Sequence, residues 1–151
     1  KNEIFKKWVE NSDEGKRLLN ECAEYHHSFQ NFAFMPITGG MNNQKGRQVL
    51  DRPDIHANEI KKYFAGEKSK IFSNSGKNRD ALEWYLSIFK NDIYEYFKKV
   101  YLIEDSAFVD KFLDFAKVAV KDEVSAIKYM ELALEFWNKR NIPECILHDR
   151  K

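Results

Sequence analysis

The sequence predicts an all-α protein, an irregular bundle of five to seven helices with one long ordered loop near residues 30–52. Three observations predict it. Apolar residues recur with the 3.6-residue helical period in five segments. No two adjacent segments alternate apolar and polar residues about a hairpin turn. Capping residues or helix breakers punctuate the ends of the periodic stretches.

The elements follow in order. Phe5, Trp8 and Val9 with Ile4 form the apolar side of a short opening helix of one to two turns, opposite Lys6, Lys7 and Glu10. Ser12 or Asp13 caps a second helix that runs to about His27, with Leu18, Leu19, Cys22, Tyr25 and His26 on its inner face. After the loop, Pro53 suits a first helical position, and Ile55, Ile60, Tyr63 and Phe64 mark a buried stripe that Gly66 can end, so a helix is expected over 53–65. Residues 67–78 read as a linker or a short strand at most. From Arg79 the helical period continues through Leu82, Leu86, Phe89, Ile93, Tyr96, Phe97 and Val100, either as one helix or as two with a bend at Asn91-Asp92. Asp105 or Ser106 caps the next helix, carrying Phe108, Val109, Phe112 and Phe115. Asp122 begins the last, with Ile127, Met130, Ala133, Leu134 and Trp137 inward, and Pro143 stops it near Arg140 or Asn141.

The 151 residues suit one domain, and 43% apolar content can build one core. The chain starts at Lys1 rather than Met, so a longer native protein is expected. The 25 basic residues against 24 acidic ones, interspersed, give no global attraction to nucleic acid or membrane, and any such binding has to be local. Nucleic acid is therefore not a favoured partner. No run of about 18 apolar residues argues for a membrane span, and two widely separated cysteines point to a reducing, cytoplasmic compartment.

The stretch with most chemical promise is the loop from Phe34 to Asp54. Connections of that length inside compact domains usually carry function. Gly39, Gly40 and Gly46 permit positive φ, Asn42 and Asn43 can cap or turn, and Lys45, Arg47 and Arg52 supply positive charge. Successive amides in such a segment can form a nest for a phosphate or carboxylate. The order of residues is neither a Walker A loop, because Lys45 precedes Gly46, nor a G-x-G-x-x-G turn. Asp51, Arg52 and Asp54 join the loop to the helix that follows. Arg52 is expected to reach back under the Gly39-Gly40 turn, onto loop carbonyls, onto an acid such as Asp51, or onto a bound anion. The candidate binding residues are thus Gly39, Gly40, Asn42, Asn43, Lys45, Arg47, Asp51 and Arg52.

Other chemistry is weaker. Cys22 with His26 and Cys145 with His148 have helical zinc-ligand spacing, yet each pair reads more simply as buried core, so no metal and no cofactor are expected. The arginine–histidine spacing of small helical nucleases is absent: Arg52 and His56 stand too close, Arg140 and His148 too far apart. His56 and His148 are general bases only in the generic sense that imidazole titrates near neutrality. Lys98, Lys99 and Lys117 read as a solvated surface.

Taken together, Met35-Pro36, Gly39-Gly40, Asn42 to Gly46, Asp51-Arg52 with Asp54, Tyr63-Phe64, Phe89 through Phe97, Glu104-Asp105 and Trp137 to Asn141 resemble an uncharacterised bacterial family of unknown function. Its pattern is a GG turn, N-x-x-[KR]-G, D-R-x-D and a Phe/Tyr-rich helix. The resemblance spans roughly residues 31–141 and departs at Pro53, where an aromatic is expected. It implies an upstream portion and treatment of the loop and Asp51-Arg52 as one unit, but no activity. The leading expectation is a non-catalytic binding or interaction domain of a bacterial cytoplasmic protein, with an unknown protein or a small anionic ligand as partner. The alternative is a small enzyme acting on a phosphate-bearing ligand, a nucleotide or RNA, in a stress or phage-defence setting.

Overall fold

The computed structural model describes residues 2–25, 28, 31, 52–72 and 79–143. Among them are seven α-helices and no strand, as the periodicity predicts. Most of the long loop lies outside the described residues.

Helix α1 (Asn2–Val9) meets α2 (Asp13–Tyr25) at a tight corner. Ser12 caps α2, its hydroxyl accepting from the Gly15 amide at 3.1 Å. A methyl group at Gly15 would stand 2.1 Å from the Val9 carbonyl oxygen, so the close approach of the two helices requires glycine here. Helix α2 is described to Tyr25, and the expected end at His27 lies outside the described residues. The carbonyl of Tyr25 accepts from the amide and hydroxyl of Ser28.

Helix α3 (Pro53–Phe64) starts on its proline and ends in a Schellman turn. Gly66, at φ +73°, lets the Glu67 amide reach the Lys62 carbonyl and its own amide reach that of Tyr63. Residues 67–72 form no strand. They are held to α3 by Glu59, whose carboxylate accepts from the Lys70 amide at 2.6 Å and whose carbonyl accepts from Ser69.

The helical run from Arg79 divides in two at the predicted weak spot. Helix α4 (Arg79–Ser87) tightens through i→i+3 bonds, and Lys90 and Asn91 take left-handed conformations. Asp92 then caps α5 (Ile93–Tyr96), which continues as one π-helical turn over Phe97–Tyr101 and stops at left-handed Leu102. Asp105 caps α6 (Ser106–Phe115), and a capping box of Asp122 and Ser125 starts α7 (Glu123–Asn138). The last helix ends before Arg140 and Asn141. Those residues turn away to cap the π segment instead, the Asn141 amide on the Leu102 carbonyl and the Arg140 Nε on that of Tyr101, both at 2.9 Å.

Helices α1 and α2 pack on α7, while α3 packs on α5 and α6. The result is two apolar clusters. The larger joins Ile60, Leu82, Leu86, Phe89, Tyr96, Phe97, Phe112, Leu132 and Phe136, among others. The smaller joins Phe5, Val9, Leu18, Ala126 and Met130. Because α7 lies between them it buries two sides, Ala126, Tyr129 and Met130 on one and Leu132 and Phe136 on the other. Of the expected inner face, Met130 is buried and Ile127, Leu134 and Trp137 pack half-buried against the clusters, while the buried Tyr129, Leu132 and Phe136 lay outside the expectation.

Candidate functional site

The loop that carries Gly39, Gly40, Asn42, Asn43, Lys45, Arg47 and Asp51 lies outside the described residues. Both of its footings are described. At the near end, Asn31 Oδ1 accepts from the Trp137 indole Nε1 at 3.2 Å. That indole stacks on Tyr25 with centroids 5.0 Å apart, and the Tyr25 hydroxyl donates to Asn138 at 2.8 Å. Thus the loop departs from a joint between α2 and the end of α7.

At the far end stands Arg52, the one candidate residue whose surroundings are described. It is 1% exposed. Its Nε donates to Asp54 Oδ1 at 2.8 Å and its Nη2 to Oδ2 at 2.5 Å, the planar fork meeting a planar carboxylate. Its other described bonds go to the carbonyls of Phe115, the last residue of α6, at 3.1 Å and of Val118, just past it, at 3.2 Å. The guanidinium also faces the rings of Phe115 and Tyr129, 5.3 and 5.0 Å from their centroids. The expected placement of Arg52 under the Gly39-Gly40 turn falls on residues outside those described; among the described residues its partners are Asp54 and the end of α6. Arg52 caps α6, because the exposed carbonyls of a helix C-terminus offer a cation both acceptors and a favourable dipole.

Asp54 is likewise no helix cap, since its carboxylate is engaged by the arginine two residues before it. Asp54, His56 and Glu59 of α3 are all buried to within a few per cent, Asp54 on the far side of the helix from the other two. Sequence reasoning put Ile55 on the inner stripe, yet Ile55 is half-buried while Asp54, His56 and Glu59 are buried. A signal did exist: positions 52, 56, 59, 60 and 63 share helical spacing, so the stripe holding Ile60 and Tyr63 also passes through Arg52, His56 and Glu59.

Further buried polar groups are tyrosines. Tyr101, Tyr96 and Tyr85 are joined by hydroxyl hydrogen bonds that lead outward from the centre. Burial pushes the Tyr101 and Tyr96 hydroxyls well above the usual phenol range and that of Tyr85 up to about 12. The Asp54 charge adds to the rise at Tyr101, and the nearby Arg140 opposes it. Burial also lowers the Arg140 pKa. These phenols stay neutral, acting as hydrogen-bond groups rather than bases.

His56 is 1% exposed and presents no imidazole to solvent. Cys22 is a free thiol whose sulfur lies 3.8 Å from the Met130 carbonyl, and burial pushes its pKa up to about 11. Its proposed co-ligands His26, Cys145 and His148 lie outside the described residues. Among the described residues no cluster of ligand-type side chains is placed to hold a metal. No described helix is long and apolar enough to cross a membrane.

One surface groove of about 450 Å³ runs between α3 and α6, lined by Asn58, Lys61, Lys62, Leu113, Asp114 and Lys117. Lys62 is bonded to Glu59 and Lys117 to Asp114, so two of its three ammonium groups already have carboxylate partners.

No family model matches this chain, and neither the curated proteins nor the solved structures contain a significant match.

Proposed function

We propose that this chain is a non-catalytic binding or interaction domain of a bacterial cytoplasmic protein, and that the 34–54 loop is its working surface. One observation carries the reading. Arg52, the one candidate cation whose surroundings are described, is engaged by Asp54 and two backbone carbonyls and is 1% exposed. An enzyme handling phosphate at this point needs that guanidinium open to its substrate. Here it works as a foundation. With Asn31 tied to Trp137 at the other end, the loop has a described attachment to the helices on each side. A rigid scaffold presenting a long connection suits recognition. Gly39, Gly40, Asn42, Asn43, Lys45, Arg47 and Asp51 are the residues through which it acts, on a protein or on a small anionic group.

A photo-crosslinking residue at position 44, set in the cytosol of a bacterial host, tests this directly. The expected product is a discrete adduct that Lys45→Glu with Arg47→Glu removes. A thermal-shift panel of nucleotides, phosphosugars and short RNAs serves the competing reading. A ligand at about 100 times its dissociation constant stabilises by about 2.7 kcal/mol. Such a shift accompanied by turnover of the ligand would replace the interaction reading with that of a small enzyme on a phosphate-bearing substrate.

A further inference from the structure

Helix α4 turns Leu82, Leu86 and the following Phe89 into the core. Its other side is exposed and also apolar: Trp84 is 70% exposed, Ile88 just past the helix is 43% exposed, and Ala81 is exposed as well. Positions 81, 84 and 88 are spaced i, i+3 and i+7, so the three share one face. An uncovered tryptophan at the centre of such a face is the kind of residue that anchors interfaces.

The charges at the two ends of this face say what covers it. Asp80 stands beside Ala81 at one end and Lys90 beyond Ile88 at the other, both exposed. Among the described residues neither takes part in an ion pair. The remaining charges of the helix, Arg79 and Glu83, are already joined at 2.8 Å. The pattern is self-complementary when reversed. A two-fold axis level with Trp84 and Tyr85 sets Ala81 opposite Ile88 of a second copy, Trp84 against its counterpart, and Asp80 opposite Lys90 at both ends. A closed isologous pair has this symmetry: each patch meets its own reverse.

We propose that the Ala81–Trp84–Ile88 face of α4 is a self-association surface on which a second copy of this chain docks in antiparallel register. It lies apart from the 34–54 loop in sequence and does not rest on the loop's function. The contact is small, a helix of nine residues against its copy. Stable interfaces bury roughly 800 Å² per partner, so the dimer is weak, with a Kd on the order of 100 µM.

Sedimentation equilibrium of the full chain from about 10 µM to about 1 mM tests the proposal. The mass is expected to rise from monomer toward dimer with concentration, and Trp84→Glu is expected to weaken association at least about tenfold. Because Trp84 is exposed, this variant keeps the helical circular dichroism of the parent. Asp80→Lys alone and Lys90→Asp alone place like charges opposite each other and weaken self-association. Mixing the two single variants restores it as a heterodimer. A monomeric mass at every concentration overturns the proposal. So does association that survives Trp84→Glu, or a mixture of charge variants no tighter than its components.

Discussion

Arg52 and Asp54 close a two-point fork inside the protein, Nε to Oδ1 at 2.8 Å and Nη2 to Oδ2 at 2.5 Å, with both side chains at or below 1% exposure. Only Pro53 separates them, and it fixes the entry of α3. The same guanidinium then binds carbonyls at and just past the end of α6. A single side chain thus joins the end of the long loop, the start of α3 and the end of α6.

The first prediction concerns this pair. Asp54→Asn leaves the buried Arg52 charge without its partner and is expected to cost about 3 to 5 kcal/mol in urea unfolding, and Arg52→Lys keeps a charge but loses the fork, at a cost of about 2 kcal/mol or more. An ammonium has neither the planar fork nor enough directed donors to serve Asp54 and two carbonyls together. Lys45→Arg, by contrast, is expected to stay within about 0.5 kcal/mol of the parent. Replacing both members, Arg52→Met with Asp54→Leu, should cost less than either single change, since no uncompensated charge remains. Parent-like unfolding of Arg52→Lys would show that the fork contributes nothing.

Much of the fold was legible because its signals are local. Ser12, Asp105 and Asp122 cap the helices they precede, Gly66 ends α3, and the break falls at Asn91-Asp92 as the propensities suggest. What the residues beside Arg52 could not show is where its guanidinium goes. Its partners Phe115 and Val118 lie 63 and 66 positions away, and no local pattern encodes a carbonyl freed at a distant helix end. The π turn at Phe97–Tyr101 was hidden for a related reason. It continues the same apolar run, and its extra residue is accommodated by the Leu102 conformation and by Arg140 and Asn141 arriving from the end of α7. Of the candidate binding residues, only Arg52 is described, and the partners it shows there are Asp54 and the end of α6.

A second prediction tests the core. Phe112 stacks on Phe136 at 5.0 Å and meets Phe97 edge-on at 5.7 Å, while Phe89 meets Tyr85 and Tyr96 edge-on. Both are 3% exposed or less. Phe112→Ala and Phe89→Ala each open a cavity among rings that cannot collapse to fill it, at a cost of about 3 to 5 kcal/mol. Chemical denaturation followed by circular dichroism reads this loss, and a change below about 1 kcal/mol would contradict the packing described.

The third prediction has a sign opposite to helix propensity. Alanine in place of an interior helical glycine ordinarily stabilises by about 1 kcal/mol. At Gly15 the added methyl would lie 2.1 Å from the Val9 carbonyl oxygen, a backbone atom that cannot rotate away. Gly15→Ala is therefore expected to lower stability by about 1 to 3 kcal/mol as the α1–α2 corner opens. The same change should shorten the protection of the α1 amides in hydrogen exchange. A more stable variant would mean that the corner is looser than this spacing.

The last prediction is a pH dependence centred on Glu59. Burial alone would raise its pKa, but the Lys62 ammonium at 2.6 Å and the Lys70 amide at 2.6 Å together outweigh burial and hold it below the ordinary value. A carboxylate whose pKa is lower in the folded chain than in the unfolded chain adds stability that is present above the unfolded value, about 4.3, and lost as the pH falls through the folded one. Glu59→Gln removes that contribution while keeping an acceptor of similar shape for Lys70. The stability gap between parent and variant should therefore be largest near neutrality and shrink as the pH falls below the carboxylate range. Urea titrations of both proteins at about pH 7 and about pH 3 measure it. The 67–72 segment should loosen together with the loss, seen as faster exchange at the Lys70 amide. A gap that stays constant across this range would show that the folded and unfolded chains bind the proton at this side chain equally, leaving Lys62 and Lys70 without net effect on its charge.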